Sequence, residues 1–303
     1  MNRREFSALT LLALTAPAVH AAPEKAGSSP LVQQITSRLQ AIEHASLGRL
    51  GVHILDTASG ASFNHRADER FLMCSTFKLL ASALVLQRVD RGRESLDRRI
   101  VFGPSDLVAH SPVTEKHVGG NGMTLGELCA ATITTSDNAA ANLILASYGG
   151  PPAFTAFVRQ LGDSVTRLDH TEPEMSAWHD DFSDTTSPRA MLGSVQRVVL
   201  GDALSPASRA MLQRWLRANT TGKSRLQAGL PQGWAIGDKT GSGGDDGHGA
   251  STHDIAVAWP PTGAPLLVTA YLSRSRAPEA ARKATLARVG ALLPLIVGAR
   301  QRG

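Results

Sequence analysis

The sequence predicts an α/β (α+β) protein of two domains, in which an antiparallel sheet flanked by helices is built from both termini and an all-helical domain is inserted. Strand-like segments occur near both ends of the chain, helical patterns fill the middle, and the segment 75–89 is apolar on almost every side. A helix of that kind is buried in a core rather than laid on a surface. The 303 residues suit two interlocked domains, and we expect an active site between them.

The domain boundaries are predicted where strand-like segments give way to helical patterns. Residues 22–66 and 218–303 are predicted to form the sheet domain, because strand-like runs there are separated by turn signals such as Pro260–Gly263. Residues 67–217 are predicted to form the inserted all-helical domain, which includes a loop-like stretch over 167–184. Strands are expected over 50–56, 61–64, 229–238, 255–259 and 266–272, and terminal helices over 31–45 and 279–297.

The composition is that of a folded, basic protein. Hydrophobic residues make up 42% and charged residues 19%, which excludes intrinsic disorder. The net charge is +5, but the arginines are scattered among acidic residues and aromatic residues are only 5%. Nucleic-acid binding is therefore poorly supported, since it needs basic stripes or stacking platforms. A basic field favours small anionic substrates.

The amino-terminal residues 1–21 read as a cleaved export signal. Arg3 and Arg4 give a positive start, and the apolar run 6–19 is too short to span a bilayer. The segment 2–6 also resembles a twin-arginine signal, and the ordinary secretory route stays open as well. We therefore expect a periplasmic or otherwise exported protein without a membrane anchor after cleavage.

A candidate nucleophile stands at the start of the buried helix. Ser75 and Lys78 are three residues apart, so they lie on one helix face. A serine needs a neighbouring base to act as a nucleophile, and a desolvated lysine can serve. Taken alone, the pair is weak evidence, because an ordinary helix cap would look the same.

Two further motifs change that interpretation. Ser136-Asp137-Asn138 follows a helical run and supplies a hydroxyl for proton transfer and an amide for a substrate. Lys239-Thr240-Gly241 follows a strand-like run, where small residues let a substrate lie beside an edge strand and the lysine suits a carboxylate. A phosphate loop is a poor alternative, because its glycines precede the lysine.

The three motifs in this order resemble those of the class A serine β-lactamases, which share their fold with penicillin-binding proteins. The resemblance extends from about Leu31 to near the carboxyl terminus. It implies that Glu172, in Glu172-Pro173-Glu174, belongs to an omega loop and activates the water that hydrolyses the acyl-enzyme. The implied function is opening of the β-lactam ring through a serine acyl-enzyme, which confers antibiotic resistance.

The resemblance also assigns roles to individual residues. Ser75 is the nucleophile, its proton leaves through Lys78 or through a water on Glu172, and Ser136 protonates the ring nitrogen. The backbone N–H groups of Ser75 and Ser242 are expected to form the oxyanion hole. The implied substrate-binding residues are Asn138, Lys239, Thr240, Gly241, Ser242 and Arg225, with His110 at the lip of the pocket and Ser176 near the water. No metal or other cofactor is implied, the partner is a small β-lactam, and we expect a monomer.

Several positions depart from the family pattern. His170 stands where the family has an arginine paired with an aspartate, here Asp184, and it predicts a looser, pH-dependent loop. Ser176 replaces an asparagine that helps to hold the water. The segment 243–249 looks like an insertion, for which a flexible acidic turn is favoured over a metal site. Neither Cys74 nor Cys129 has its usual disulfide partner, so no bridge is expected. The position at which some family members carry the partner of Cys74 is occupied by glycine, Gly243.

Two alternatives stay open at this point. A peptidoglycan D,D-carboxypeptidase or transpeptidase would use the same nucleophile, and a β-lactam-sensing domain would be acylated without turnover. The glutamate-bearing loop and the expected lack of an anchor argue against both.

Overall fold

The computed structural model describes residues 29–177, 181–244 and 247–300. In chain order, the helices are α1 (Pro30–Ala45), α2 (Phe77–Asp90), α3 (Leu125–Thr134), α4 (Asn138–Tyr148), α5 (Gly150–Gln160), α6 (Pro188–Val199), α7 (Pro206–Arg217), α8 (Glu279–Gly290) and α9 (Leu293–Arg300). The strands are β1 (Arg49–Asp56), β2 (Ser62–His65), β3 (Phe71–Leu72), β4 (Arg99–Ile100), β5 (Met123–Thr124), β6 (Thr185–Thr186), β7 (Ala235–Gly243), β8 (Ala250–Trp259) and β9 (Leu266–Ser275).

The main sheet is assembled from both ends of the chain. Its strand order is β2-β1-β9-β8-β7, and every neighbouring pair is antiparallel. Strands β1 and β2 precede the central helices in the sequence, and β7 to β9 follow them. The predicted fold class is therefore confirmed. The predicted boundaries at residues 66 and 217 stay a prediction.

The two faces of the sheet belong to two cores. In β9, Val268 and Ala270 pack with the apolar residues of α1, α8 and α9, whereas the alternate residues Leu267 and Tyr271 pack with the central helices. Successive side chains of a strand point to opposite faces, so a strand that is apolar throughout serves both layers. The sheet therefore separates the two cores, and β7 is the strand at one of its edges.

Helix α2 lies in the centre of the helical layer, as predicted. All of its residues from Phe77 to Gln87 are buried. A 3-10 turn, Cys74–Thr76, leads directly into α2, and Cys74 has a φ of 43°. Strand β7 presses on this turn, since a Cβ on Gly241 would lie 3.0 Å from the carbonyl oxygen of Met73. The glycine therefore allows the edge strand to approach the turn that carries Ser75.

Three helices begin with the same capping arrangement, a serine followed by a proline. Ser29, Ser187 and Ser205 each accept a hydrogen bond from a backbone N–H of the first helical turn, and each is followed by proline. Serine is a favoured residue just before a helix, and proline suits the first helical position because that N–H has no helical partner. These pairs fix where α1, α6 and α7 start.

Three sequence-based bounds need correction. The strand predicted over 255–259 begins earlier, at Ala250, because it pairs with β7 from Ser251 onward. The strand predicted over 229–238 begins later, at Ala235, because a turn around Pro231 and Gly233 precedes it. The predicted last helix is divided after Gly290, where a Cβ would lie 2.2 Å from the carbonyl oxygen of Leu226. The predicted export signal lies outside the described residues. Among the helices of the described segments, none combines the length and apolarity needed to cross a bilayer.

Candidate active site

A cleft of about 530 Å³ lies between the edge strand β7 and the central helices. Two of the predicted site residues, Lys78 and Lys239, are fully buried near it. Gly241 lies in β7 where that strand meets the turn carrying Ser75. The other nine predicted site residues line the cleft: Ser75, His110, Ser136, Asn138, Glu172, Ser176, Arg225, Thr240 and Ser242.

A single carboxylate oxygen joins Ser75 to Lys78. The Ser75 hydroxyl donates to Oε1 of Glu172 at 3.1 Å, and Nζ of Lys78 lies 3.0 Å from the same oxygen. Burial lowers the pKa of Lys78, and the Glu172 carboxylate opposes that shift. The Lys78 ammonium also donates to the Ser136 carbonyl at 2.9 Å and to the Asn138 side-chain oxygen. The hydroxyl, ammonium and carboxylate thus meet at one point.

Glu172 is held in place by a neighbour that the sequence analysis did not identify. The Asn142 side chain donates to the Glu172 carbonyl and accepts from the Glu172 N–H, both at 2.9 Å. The Ser176 hydroxyl donates to Oε2 of Glu172 at 3.3 Å. The one available signal was spacing, because Asn142 lies four residues after Asn138 on α4 and therefore on the same helix face.

Ser136 lies between two ammonium groups. Nζ of Lys239 donates to its hydroxyl at 3.0 Å, and Nζ of Lys78 lies at 3.5 Å. Burial lowers the pKa of Lys239 strongly, and the positive charge of Lys78 lowers it further. Ser136 has a φ of 62°, and its position is fixed by the next residue, Asp137, which accepts the N–H groups of Thr114 and Ala140.

The far end of the cleft carries a buried arginine. The Arg225 guanidinium is 5% exposed, donates to the Gly241 carbonyl at 2.7 Å and to the Ser242 hydroxyl at 2.7 Å, and also reaches the His253 carbonyl. Burial lowers its pKa. Next to it, the hydroxyls of Thr240 and Thr221 are 2.6 Å apart. These donors can receive a carboxylate at this end of the cleft.

The neck of the omega-like loop contains the predicted histidine tie. Nδ1 of His170 lies 2.7 Å from Oδ2 of Asp184. The other oxygen of this buried carboxylate accepts the N–H groups of Asp169 at 2.8 Å and His170 at 3.0 Å. That the loop is looser than one with arginine in this place stays a prediction.

We expect this tie to weaken as pH rises. Its hydrogen bond with Asp184 raises the pKa of His170, so the stabilising contribution is present below about pH 6.5 and is lost as pH passes the raised value. The side chain is 37% exposed, and solvent keeps the effect to a few-fold. Hydrogen exchange at the amides of Asp169 and His170, corrected for intrinsic rate, should show greater protection at pH 6 than at pH 8.5. Equal protection, or an unchanged pH dependence in His170→Arg, contradicts this expectation.

The remaining predicted features lie as follows. His110 has a φ of 62°, and its Nε2 lies 3.1 Å from the carbonyl oxygen of Thr135. Both cysteines are buried and free, and burial raises the pKa of Cys74 to about 12. Within the described segments, no group of three or more metal-ligating side chains is found. Asp245 and Asp246, in the predicted acidic turn, lie outside these segments.

This arrangement is suited to covalent catalysis by serine. The half-buried Ser75 hydroxyl contacts the buried Glu172 carboxylate, which also contacts the buried Lys78 ammonium. The Ser136 hydroxyl accepts a hydrogen bond from the Lys239 ammonium. Such a set can remove a proton from a nucleophile and deliver one to a leaving group. The class of protein that the fold and cleft define is a serine-dependent acyl-transfer enzyme.

Comparison with known proteins gives the family. The model of the β-lactamase enzyme family matches residues 34–295. β-Lactamase L2 of Stenotrophomonas maltophilia is 47% identical over 92% of this chain and 91% of its own, and CTX-M-8 of Citrobacter amalonaticus is 46% identical over 86% and 89%. A solved ancestral class A β-lactamase is 56% identical, with a TM-score of 0.83 over 88% of this chain and all of its own. The chain belongs to the class A β-lactamases, and it is a hydrolase of that type.

Proposed function

We propose that the protein opens β-lactams by forming an acyl-enzyme on Ser75 and regenerates itself by hydrolysis that Glu172 assists. The observation that carries the proposal is the shared contact of the Ser75 hydroxyl and the Lys78 ammonium with one oxygen of Glu172. A self-regenerating catalyst needs a base for the hydrolytic water, and Glu172 stands beside the oxygen that carries the acyl group.

In the acylation step, Ser75 attacks the ring carbonyl and loses its proton. Lys78, whose neutral form burial favours, or a water on Glu172 accepts this proton, since both groups lie at the same carboxylate oxygen. Acylation therefore does not depend on Glu172 alone. The backbone N–H groups of Ser75 and Ser242 receive the oxyanion, and removing one such donor typically costs about 3–4 kcal/mol of transition-state stabilisation.

Ring opening then requires a proton on the departing nitrogen. Ser136 supplies it, because its hydroxyl is bonded by Lys239 at 3.0 Å and lies within 3.5 Å of Lys78. Ammonium groups next to a hydroxyl favour transfer of its proton to a developing amine and can replace that proton afterwards. In deacylation, Glu172 accepts a proton from water, and Ser176 orients the other oxygen of this carboxylate at 3.3 Å.

The substrate is held at its two ends. Lys239, Thr240, Ser242 and Arg225 bind its carboxylate, with Gly241 allowing the close approach of the strand. Asn138 binds its side-chain amide after releasing one of its present partners, which are Lys78 and the Ala109 carbonyl. His110 at the lip contacts the substrate face.

Replacing Arg225 by alanine should raise the KM for a penicillin about 10- to 100-fold, because a hydrogen bond to a charged group contributes about 1.5–3 kcal/mol. The value of kcat should change much less. The matched control is Lys223→Ala, which removes an exposed cation from the same segment. Steady-state kinetics with a penicillin and its methyl ester give the readout. An equal loss for acid and ester would contradict carboxylate binding by Arg225.

Counting turnovers tests the function itself. Purified protein mixed with an excess of a chromogenic cephalosporin should convert hundreds of equivalents, with intact mass returning to that of the free protein. A single stable adduct without turnover would instead indicate the transpeptidase-like or sensing alternatives.

We also propose export to the periplasm as a monomer, with cleavage after Ala21. Amino-terminal sequencing of exported protein and its sedimentation coefficient check these two points.

A further inference from the structure

Another cavity, of about 190 Å³, lies at the carboxyl end of helix α2, away from the catalytic cleft. It is bounded by the last turn of α2, the turn that follows, the end of α4 and one face of α5. Lys78 and Arg88 are ten residues apart, so about 15 Å of helix separates this cavity from the Lys78 ammonium. None of its lining residues lines the cleft. One water needs only about 10–15 Å³ of cavity space, so the cavity admits a polyatomic ligand.

Three arginines line this cavity without a counter-ion. Arg88, Arg91 and Arg93 make no side-chain hydrogen bond or ion pair with any residue that the structure describes. The charge of Arg88 acts on Glu94, but the two carboxylate oxygens of Glu94 accept from the Arg98 guanidinium at 2.8 and 2.7 Å. The positive charge of the cavity is therefore left without an anion from the described part of the chain.

Two buried polar side chains complete the lining. Gln87 is 7% exposed and Tyr148 is 9% exposed. The Tyr148 hydroxyl and Nε of Arg88 are buried with no hydrogen-bond partner among the described residues. Burial raises the pKa of Tyr148, so its hydroxyl keeps its proton and can donate. Buried polar groups are normally hydrogen-bonded, and these two donors are open to a partner from outside the chain.

The helix dipole does not account for the cluster. A cation near the carboxyl end of a helix can bond the last carbonyl groups, and Arg88 and Arg91 lie at that end of α2. In the described structure, however, no guanidinium of the cluster donates to a carbonyl, whereas Arg99 donates to the carbonyls of Asn121 and Gly122. Like charges around one cavity repel each other, and a bound anion relieves that repulsion.

The chemistry of the lining favours an oxyanion. Guanidinium groups offer paired N–H donors that match the oxygens of phosphate and carboxylate groups, and no Asp or Glu of the described segments lines the cavity. A free ion suits it better than a membrane surface, which an apolar anchor would favour. The large apolar side chains exposed in the described segments lie outside this lining; they are Leu47, Val101 and Phe182.

We propose that this cavity binds a small multivalent oxyanion, such as a free phosphate compound, with Arg88 and Tyr148 at its buried part and Arg91 and Arg93 at its rim. Arg88 is half-buried, and Arg91 and Arg93 are exposed, so the ion can enter from solvent. The site is separate from the proposed hydrolytic reaction and does not depend on it. An anion that binds only the folded chain stabilises it, so occupancy raises the temperature of unfolding.

The test is calorimetric titration of the protein with sodium pyrophosphate at constant ionic strength. The parent should show one saturable site, and inorganic phosphate should compete for it. Arg88→Gln should weaken binding at least about tenfold, and Tyr148→Phe, which removes only a neutral donor, about threefold. The matched control is Arg38→Gln, which removes the same charge from the exposed face of α1 and should bind as the parent does. Saturating pyrophosphate should raise the Tm of the parent but not that of Arg88→Gln.

A second titration separates this cavity from the cleft, where Arg225 also attracts anions. Arg225→Ala should bind pyrophosphate as the parent does, and Arg88→Gln should hydrolyse a penicillin at the parental rate. Binding that is lost in Arg225→Ala and kept in Arg88→Gln would overturn the proposal.

Two further results would also contradict this site. Equal affinities in the parent, Arg88→Gln and Arg38→Gln would mean that only the overall charge attracts the anion. Binding to phosphatidylglycerol vesicles that pyrophosphate does not displace would assign the arginines to a membrane surface. If Arg88→Gln does not fold, Arg93→Gln at the exposed rim replaces it and should weaken pyrophosphate binding in the same direction.

Discussion

Replacing Glu172 by glutamine should stop the reaction after acylation, so that the acyl-enzyme accumulates. The glutamine side chain keeps the size of the carboxyl group but cannot accept a proton from water, and loss of a general base typically costs about 10²- to 10⁴-fold in rate. We expect one equivalent of β-lactam to be bound covalently within the first turnover. Intact-mass measurement during mixing with a penicillin should show the adduct persisting for minutes to hours.

The matched control is Glu174→Gln, which removes an exposed carboxylate from the same loop. That variant should turn over at the parental rate and show no persistent adduct. If Glu172→Gln itself turns over at the parental rate, the role assigned to Glu172 is wrong. If it neither turns over nor forms an adduct, Glu172 is needed for acylation and the expected accumulation of acyl-enzyme is wrong.

Replacing Ser75 by alanine should abolish both turnover and adduct formation. Without the hydroxyl, no covalent intermediate can form, and loss of a serine nucleophile costs roughly 10⁶-fold where it has been measured in another serine hydrolase. The binding residues are untouched, so the variant should still bind an intact penicillin. Turnover assays, intact mass and calorimetric titration together test this expectation.

The control for this variant is Ser82→Ala, which removes a buried hydroxyl from the same helix away from the cleft. Its thermal stability and activity should stay near those of the parent. A covalent adduct in Ser75→Ala would assign the nucleophile elsewhere. Loss of penicillin binding together with a collapsed thermal transition would mean that the alanine disturbs the helix start, and Ser75→Gly would then be the variant to compare.

Much of the site could be predicted because its chemistry is carried by short local patterns. Ser75 and Lys78 share a helix face, and Lys239 lies on an edge strand beside small residues. Each of these placements depends on periodicity over a few residues. Their meeting in one cleft was inferred from the family resemblance, since no local pattern relates residue 75 to residue 172.

The parts that were missed depend on contacts between distant segments. Asn142 holds the loop residue Glu172 from helix α4, and its sequence context looks like ordinary helical surface. The face of the sheet that each residue of β7 occupies depends on the register of β7 against β8, and a one-residue shift would turn its side chains to the other face. The extension of β7 beyond residue 238 to Gly243 has the same origin, because Lys239 and Gly241 are strand residues through pairing with β8.

The central claim is that one hydroxyl forms the covalent bond and one loop carboxylate releases it. Digestion of the Glu172→Gln adduct, followed by peptide mass mapping, tests both halves together. We predict that the peptide containing Ser75 carries the full mass of the penicillin, because ring opening loses no atom, and that the parent protein shows no such peptide at the end of turnover. An adduct on any other peptide, or a Glu172→Gln protein that clears its adduct as fast as the parent, would contradict the account.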